Sequence, residues 1–86
     1  MYIVHVQPKN GSIRNPIHNM IDGHKALILM VEKGAVGFFD YLNEDDEWHT
    51  IATSRIVEIE EDGDDVKVET SHTDYLFEKI EDGAVV

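Results

Sequence analysis

What most constrains this chain is its rhythm: short apolar or alternating runs, each closed by turn formers, with no stretch that sustains helical spacing. Residues 2–7 are stopped by Pro8, which cannot donate to a ladder. Residues 25–31 and 36–42 are joined through Glu32-Lys33-Gly34-Ala35, and residues 48–52 follow an acidic connection. Residues 55–61 and 65–70 flank Asp62-Gly63, a strong two-residue hairpin signal, and Ser71-His72 turns the chain into residues 73–78. This pattern predicts a mostly β fold, a small antiparallel meander of six or seven strands, either a twisted sheet or a partly closed barrel. At 86 residues the chain builds one core, so residues 1–80 are expected to form a single domain and residues 81–86 a loose tail.

Local composition refines the expectation. Gly34 suits a positive-φ turn position, and the runs it joins are apolar on both faces, as central strands or strands covered by another layer or a second subunit would be. A helix over residues 25–42 is the competing reading, opposed by Gly34, Gly37 and the aromatic, β-branched residues after them. Residues 9–24 read as an irregular excursion, broken by Asn10-Gly11-Ser12, Asn15-Pro16 and Asp22-Gly23. Within it one helical turn can start at Pro16, capped by Asn15, and end at Ile21. Further on, Val57 with Ile59, Val66 with Val68, and Tyr75 with Phe77 are each expected to share a buried face. Lys67 is then placed among acids across the sheet.

The last third carries a resemblance. Thr53-Ser54-Arg55-Ile56-Val57, then an acidic hairpin, then Val66-Lys67-Val68-Glu69-Thr70-Ser71-His72-Thr73-Asp74-Tyr75 resembles the ending of short all-β proteins of phages and mobile elements. There a Thr-Ser-x-Val strand precedes Val-x-Val-x-Thr-x-x-Thr/Ser-x-Tyr, and here Ile56 stands in the place of Val. The likeness spans about residues 50–78. It implies a viral or mobile-element origin and an all-β ending, and it transfers no functional residue.

Charge narrows the function. Eighteen acidic residues against seven basic ones leave a formal net charge of −11. Residues 1–39 hold Lys9, Arg14, Lys25 and Lys33 against Asp22 and Glu32, a net of +2. Residues 40–86 hold sixteen acids against Arg55, Lys67 and Lys79, a net of −13. Such a surface repels DNA and anionic membrane, whose binding requires Lys and Arg, and attracts basic partners. The first reading is therefore a non-catalytic module that blocks a host nucleic-acid-handling or defence protein through an acidic face. Its candidate residues are Glu44, Asp45, Asp46, Glu47, Trp48, Glu58, Glu60, Asp62, Asp64 and Asp65. An exposed aromatic such as Trp48 would supply the apolar anchor that affinity needs.

The alternative is an oligomeric sponge that sequesters a small nucleotide immune signal. Asn10, Ser12, Arg14, Asn15, His18, Asn19 and His24 concentrate polar and basic groups in an otherwise acidic molecule, and Arg14 suits bidentate contact with a phosphate. Five histidines raise the question of a metal, but no two stand at i, i+2 or i, i+4, so no metal site and no cofactor is expected. The acidic clusters lack the spacing of a calcium loop. No nucleophile elbow or phosphate-cradling glycine loop is present, so no enzymatic activity is expected. With no cysteine, no basic leader and no apolar run near 20 residues, the expected location is the cytoplasm.

Overall fold

Strand alternation sends Val4 and Val6, Phe39 and Tyr41, Val68, Tyr75 and Phe77 to one side of the sheet, and that side is the interior of a barrel. The computed structural model describes residues 1–9 and 16–80. Six antiparallel strands follow one another in sequence order and close on themselves. They are β1 (Tyr2–Pro8), β2 (Lys25–Met30), β3 (Val36–Leu42), β4 (Trp48–Asp62), β5 (Asp65–Thr70) and β6 (Thr73–Lys79), with α1 (Pro16–Ile21) between β1 and β2. At the centre Phe39 meets Tyr75 and Phe77 edge-on, with centroids 5.5 and 5.2 Å apart, and Tyr2 meets Phe77 at 6.0 Å.

Closure is uneven. β1 pairs with β6 from Tyr2–Lys79 to Pro8–Thr73, yet it meets β2 only at Tyr2–Ala26 and Ile3–Lys25. Residues 22–24 occupy the rest of that edge. Val4 N–H donates to the His24 carbonyl at 3.0 Å, Gly23 N–H to the Val4 carbonyl at 2.7 Å, and Val6 N–H to Asp22 Oδ1 at 2.8 Å. Gly23 turns the chain there at φ 84°, a conformation that glycine adopts without penalty. Just before it, α1 buries Ile21 in the core and His18 beside Thr73. The helical turn from Pro16 to Ile21 is thus present, while its expected cap, Asn15, and the expected loose tail at 81–86 lie outside the described residues.

The hairpin over 25–42 holds, with Gly34 at φ 92°. Two expectations need correction. Residues 48–52 and 55–61 are one strand, because Thr53 and Ser54 continue β4 rather than break it. The Thr53 side chain turns inward, accepting Gly37 N–H at 2.8 Å and donating to the Ser54 carbonyl at 2.7 Å. A glycine is needed opposite, since a Cβ on Gly37 would stand 2.8 Å from Ile56 Cδ1 and 3.2 Å from the Met30 carbonyl. β4 pairs with β3 over its first half and with β5 over its second. Second, Val57 is exposed and Ile56 is buried in its place. A register shift between Ile56 and Glu58 accounts for this, since an extra residue in a strand reverses which side chains face inward. The hairpin expected at Asp62-Gly63 turns one residue later, through Gly63 (φ 64°) and Asp64, with Asp62 opposite Asp65.

Burial raises the Tyr75 phenol above its ordinary value of 10.0, against an opposing hydrogen bond with the Thr73 side chain. A folded-state pKa above the unfolded one means that this contribution to stability is whole below pH 10 and is lost as pH rises through the folded value. Ultraviolet titrations of the wild type and of Tyr75→Phe should therefore differ by one phenol that ionises above the ordinary value, and Tyr75→Phe should raise the alkaline midpoint of unfolding. A phenolate formed at ordinary pH in an intact fold would contradict this burial.

Candidate functional site

The β3–β4 turn is built around one amide. Asn43 Oδ1 accepts the N–H groups of Asp45 at 2.8 Å and Glu47 at 2.9 Å, and its backbone exchanges further bonds with Glu47 and Asp46. This is the Asx-type self-bonding that lets asparagine open a turn. Asp46 then takes φ 61°, a left-handed position that a short acidic side chain tolerates. Asn43 Nδ2 donates to His49 Nε2 at 2.9 Å, so the turn is also tied to the first residues of β4. Four consecutive carboxylates are thus held on a fixed frame and not on a free loop.

Behind the turn lies a cleft of about 380 Å³, a volume suited to one side chain or a small ligand. Asn19 and Met20 of α1 and Glu44 and Asp45 of the turn line it. His24, Tyr41 and Asn43 complete the lining. His24 Nδ1 lies 2.9 Å from the Leu42 carbonyl and so donates to it, which fixes the ring edge-on to Tyr41 at 6.0 Å. Tyr41 in turn lies 5.8 Å from the His49 ring. Trp48, which directly follows the acidic turn, is 41% exposed and pairs with Leu42, on the other face of the β3–β4 ladder from Tyr41 and His49. Among the described residues, no basic side chain pairs with Glu44, Asp45 or Asp46.

The ten positions expected to form one acidic face fall into two groups. Glu44, Asp45, Asp46, Glu47 and Trp48 stand at the start of β4, and Asp62, Asp64 and Asp65 at its far end, with Glu58 and Glu60 leading to them. Trp48 and Asp62 are the two ends of one fifteen-residue strand, about 46 Å if fully extended, and the molecule is 43 Å long. Members of the distal group already have partners. Glu58 lies 3.4 Å from Lys33 Nζ, and Asp65 Oδ1 accepts Lys79 N–H at 2.9 Å. Glu60 stands opposite Lys67 in the register.

Of the nucleotide candidates, Asn10, Ser12, Arg14 and Asn15 lie outside the described residues. His18 is buried, its Nε2 3.3 Å from Thr73 Oγ1. Asn19 and His24 line the same cleft as Glu44 and Asp45. The fold therefore unites two residues of one expectation with two of the other. Met20 and Asn43 are additions that the sequence reading lacked. Asn43 had a signal, an asparagine opening an acidic turn, whereas nothing local marks Met20. Among the described residues no cluster of three or more His, Asp or Glu is set to hold a metal ion, and no helix is long and apolar enough to cross a membrane. No family model, curated protein or solved structure matches this chain.

Proposed function

We propose that this protein is a non-catalytic docking module that receives a basic side chain of a partner protein in the cleft between α1 and the β3–β4 turn. The observation that carries this reading is the composition of the cleft wall. Glu44 and Asp45 line the cleft with the Tyr41 and His24 rings and the Asn19 and Asn43 amides, and among the described residues no cation pairs with either carboxylate. Carboxylates beside aromatic rings suit a guanidinium, which accepts planar bidentate hydrogen bonding and stacks on rings. Trp48, exposed and directly after the acidic turn, offers an apolar anchor at the rim of the same turn. The −13 carried by residues 40–86 speeds the approach of a positively charged surface.

A basic groove of a nucleic-acid-handling or defence protein has this chemistry, and the likeness of residues 50–78 to phage and mobile-element endings is the reason for placing that partner in a host cell. The same wall disfavours the nucleotide alternative at this cleft, because two carboxylates repel a phosphate. The test is native mass spectrometry of the protein drawn from bacterial lysate at low salt. A complex with a basic protein that dissociates as salt rises is the expected result. A bare chain, or one carrying extra mass of nucleotide size, would contradict it.

A further inference from the structure

The barrel has an apolar outside as well as an apolar inside. Register places Met30 opposite Phe38 and Phe38 opposite Ala52, so these three side chains form a row across β2, β3 and β4. They face away from the core, as their exposure shows. Leu27, Leu29 and Val36 flank the row and are 38–53% exposed. A hydrogen bond between Thr50 Oγ1 and Asp40 Oδ1, 2.6 Å, caps the patch on one side. Among the described residues, no strand pairs with Leu27, Leu29 or Met30 on the β1 side of β2, because that ladder ends at Ala26.

We infer that this face of β2–β3–β4 is the contact between two copies of the chain, in a two-fold dimer. Three observations select a second copy as the occupant. The exposed parts of these side chains amount to roughly 400 Å² of apolar surface, taking about 150–200 Å² for each whole side chain. That is close to the apolar share of a standard interface, where each partner contributes about 800 Å² and somewhat over half of it is apolar. Charge makes the second argument. A chain of net −11 can approach its own copy only where acids are sparse, and the segments that build this face, residues 25–42 and 48–55, hold Lys25, Lys33 and Arg55 against Glu32 and Asp40. Third, the patch borders the edge of β2 that no described strand pairs beyond Ala26, and a two-fold axis there lets each copy cover the other's edge.

Sedimentation equilibrium of the full chain tests this over a range of protein and salt concentrations. The expected result is twice the monomer mass, with association strengthened by salt as repulsion between the acidic copies is screened. This direction is opposite to that expected for a basic partner in the cleft, so failure of one reading is distinguishable from failure of the other. Phe38→Glu buries a charge at the centre of the contact and should weaken the dimer at least tenfold, with circular dichroism unchanged because the side chain faces outward. Ala52→Glu, on the next strand of the same row, provides a second variant should the first fail to fold. A wild-type chain that stays monomeric at every salt concentration would overturn the inference. So would a dimer that survives both substitutions, or a monomer that places a vesicle or another protein on this face.

Discussion

Phe39→Ala is expected to remove about 3–5 kcal/mol of folding stability, the usual cost of truncating a buried phenylalanine. Phe39 is fully buried and is the ring against which both Tyr75 and Phe77 pack, so the cavity would open at the middle of the barrel. An 86-residue chain at the usual 0.05–0.15 kcal/mol per residue has roughly 4–13 kcal/mol in all. The loss is therefore about a quarter of the total or more, and a urea midpoint should fall accordingly with little change in slope. Val57→Ala is the control. Simple alternation along residues 55–61 assigns Val57 to the core, but the register shift leaves it exposed, and its truncation should cost under about 1 kcal/mol. Equal losses at the two positions would contradict the described core.

Glu44→Lys combined with Asp45→Lys is expected to lower affinity for an arginine-rich peptide about 100-fold, equivalent to about 2.7 kcal/mol. The substitutions replace attraction with repulsion at the cleft wall itself. Both side chains are exposed, and the turn is held by the Asn43 amide and not by their carboxylates, so melting should be unaffected. Asp62→Lys with Asp64→Lys makes the same change in net charge at the far end of β4. That pair should weaken binding less than about tenfold, because only long-range attraction is altered. Equal effects from the two pairs would show that net charge acts without a site.

The contrast between those pairs shows where sequence reasoning stops. Turns were legible because Gly34 and Gly63 each sit where the backbone takes a positive φ, and β6 was legible because Thr73, Tyr75 and Phe77 alternate strictly into the core. Continuity through Thr53-Ser54 was not, since a buried threonine reads as polar punctuation until Gly37 N–H is found opposite it. Nor does composition reveal that residues 22–24 fill a strand's place beside β1 with hydrogen bonds from a helix exit. At the cleft, Glu44, Asp45, Asn19 and His24 were each visible as polar candidates. Their meeting was not, because it depends on the fold bringing the end of α1 to the β3–β4 turn, while the length of β4 parts acids expected to share one face.

The most direct test of the docking site is a two-dimensional amide NMR titration of the wild-type chain with the arginine-rich peptide, at low and at high salt. The predicted result is shifts centred on Asn19, His24, Asn43, Glu44 and Asp45 and on the Trp48 indole, fading as salt is added. Shifts centred instead on the β4–β5 hairpin around Gly63, or spread evenly over the acidic surface, would contradict the site.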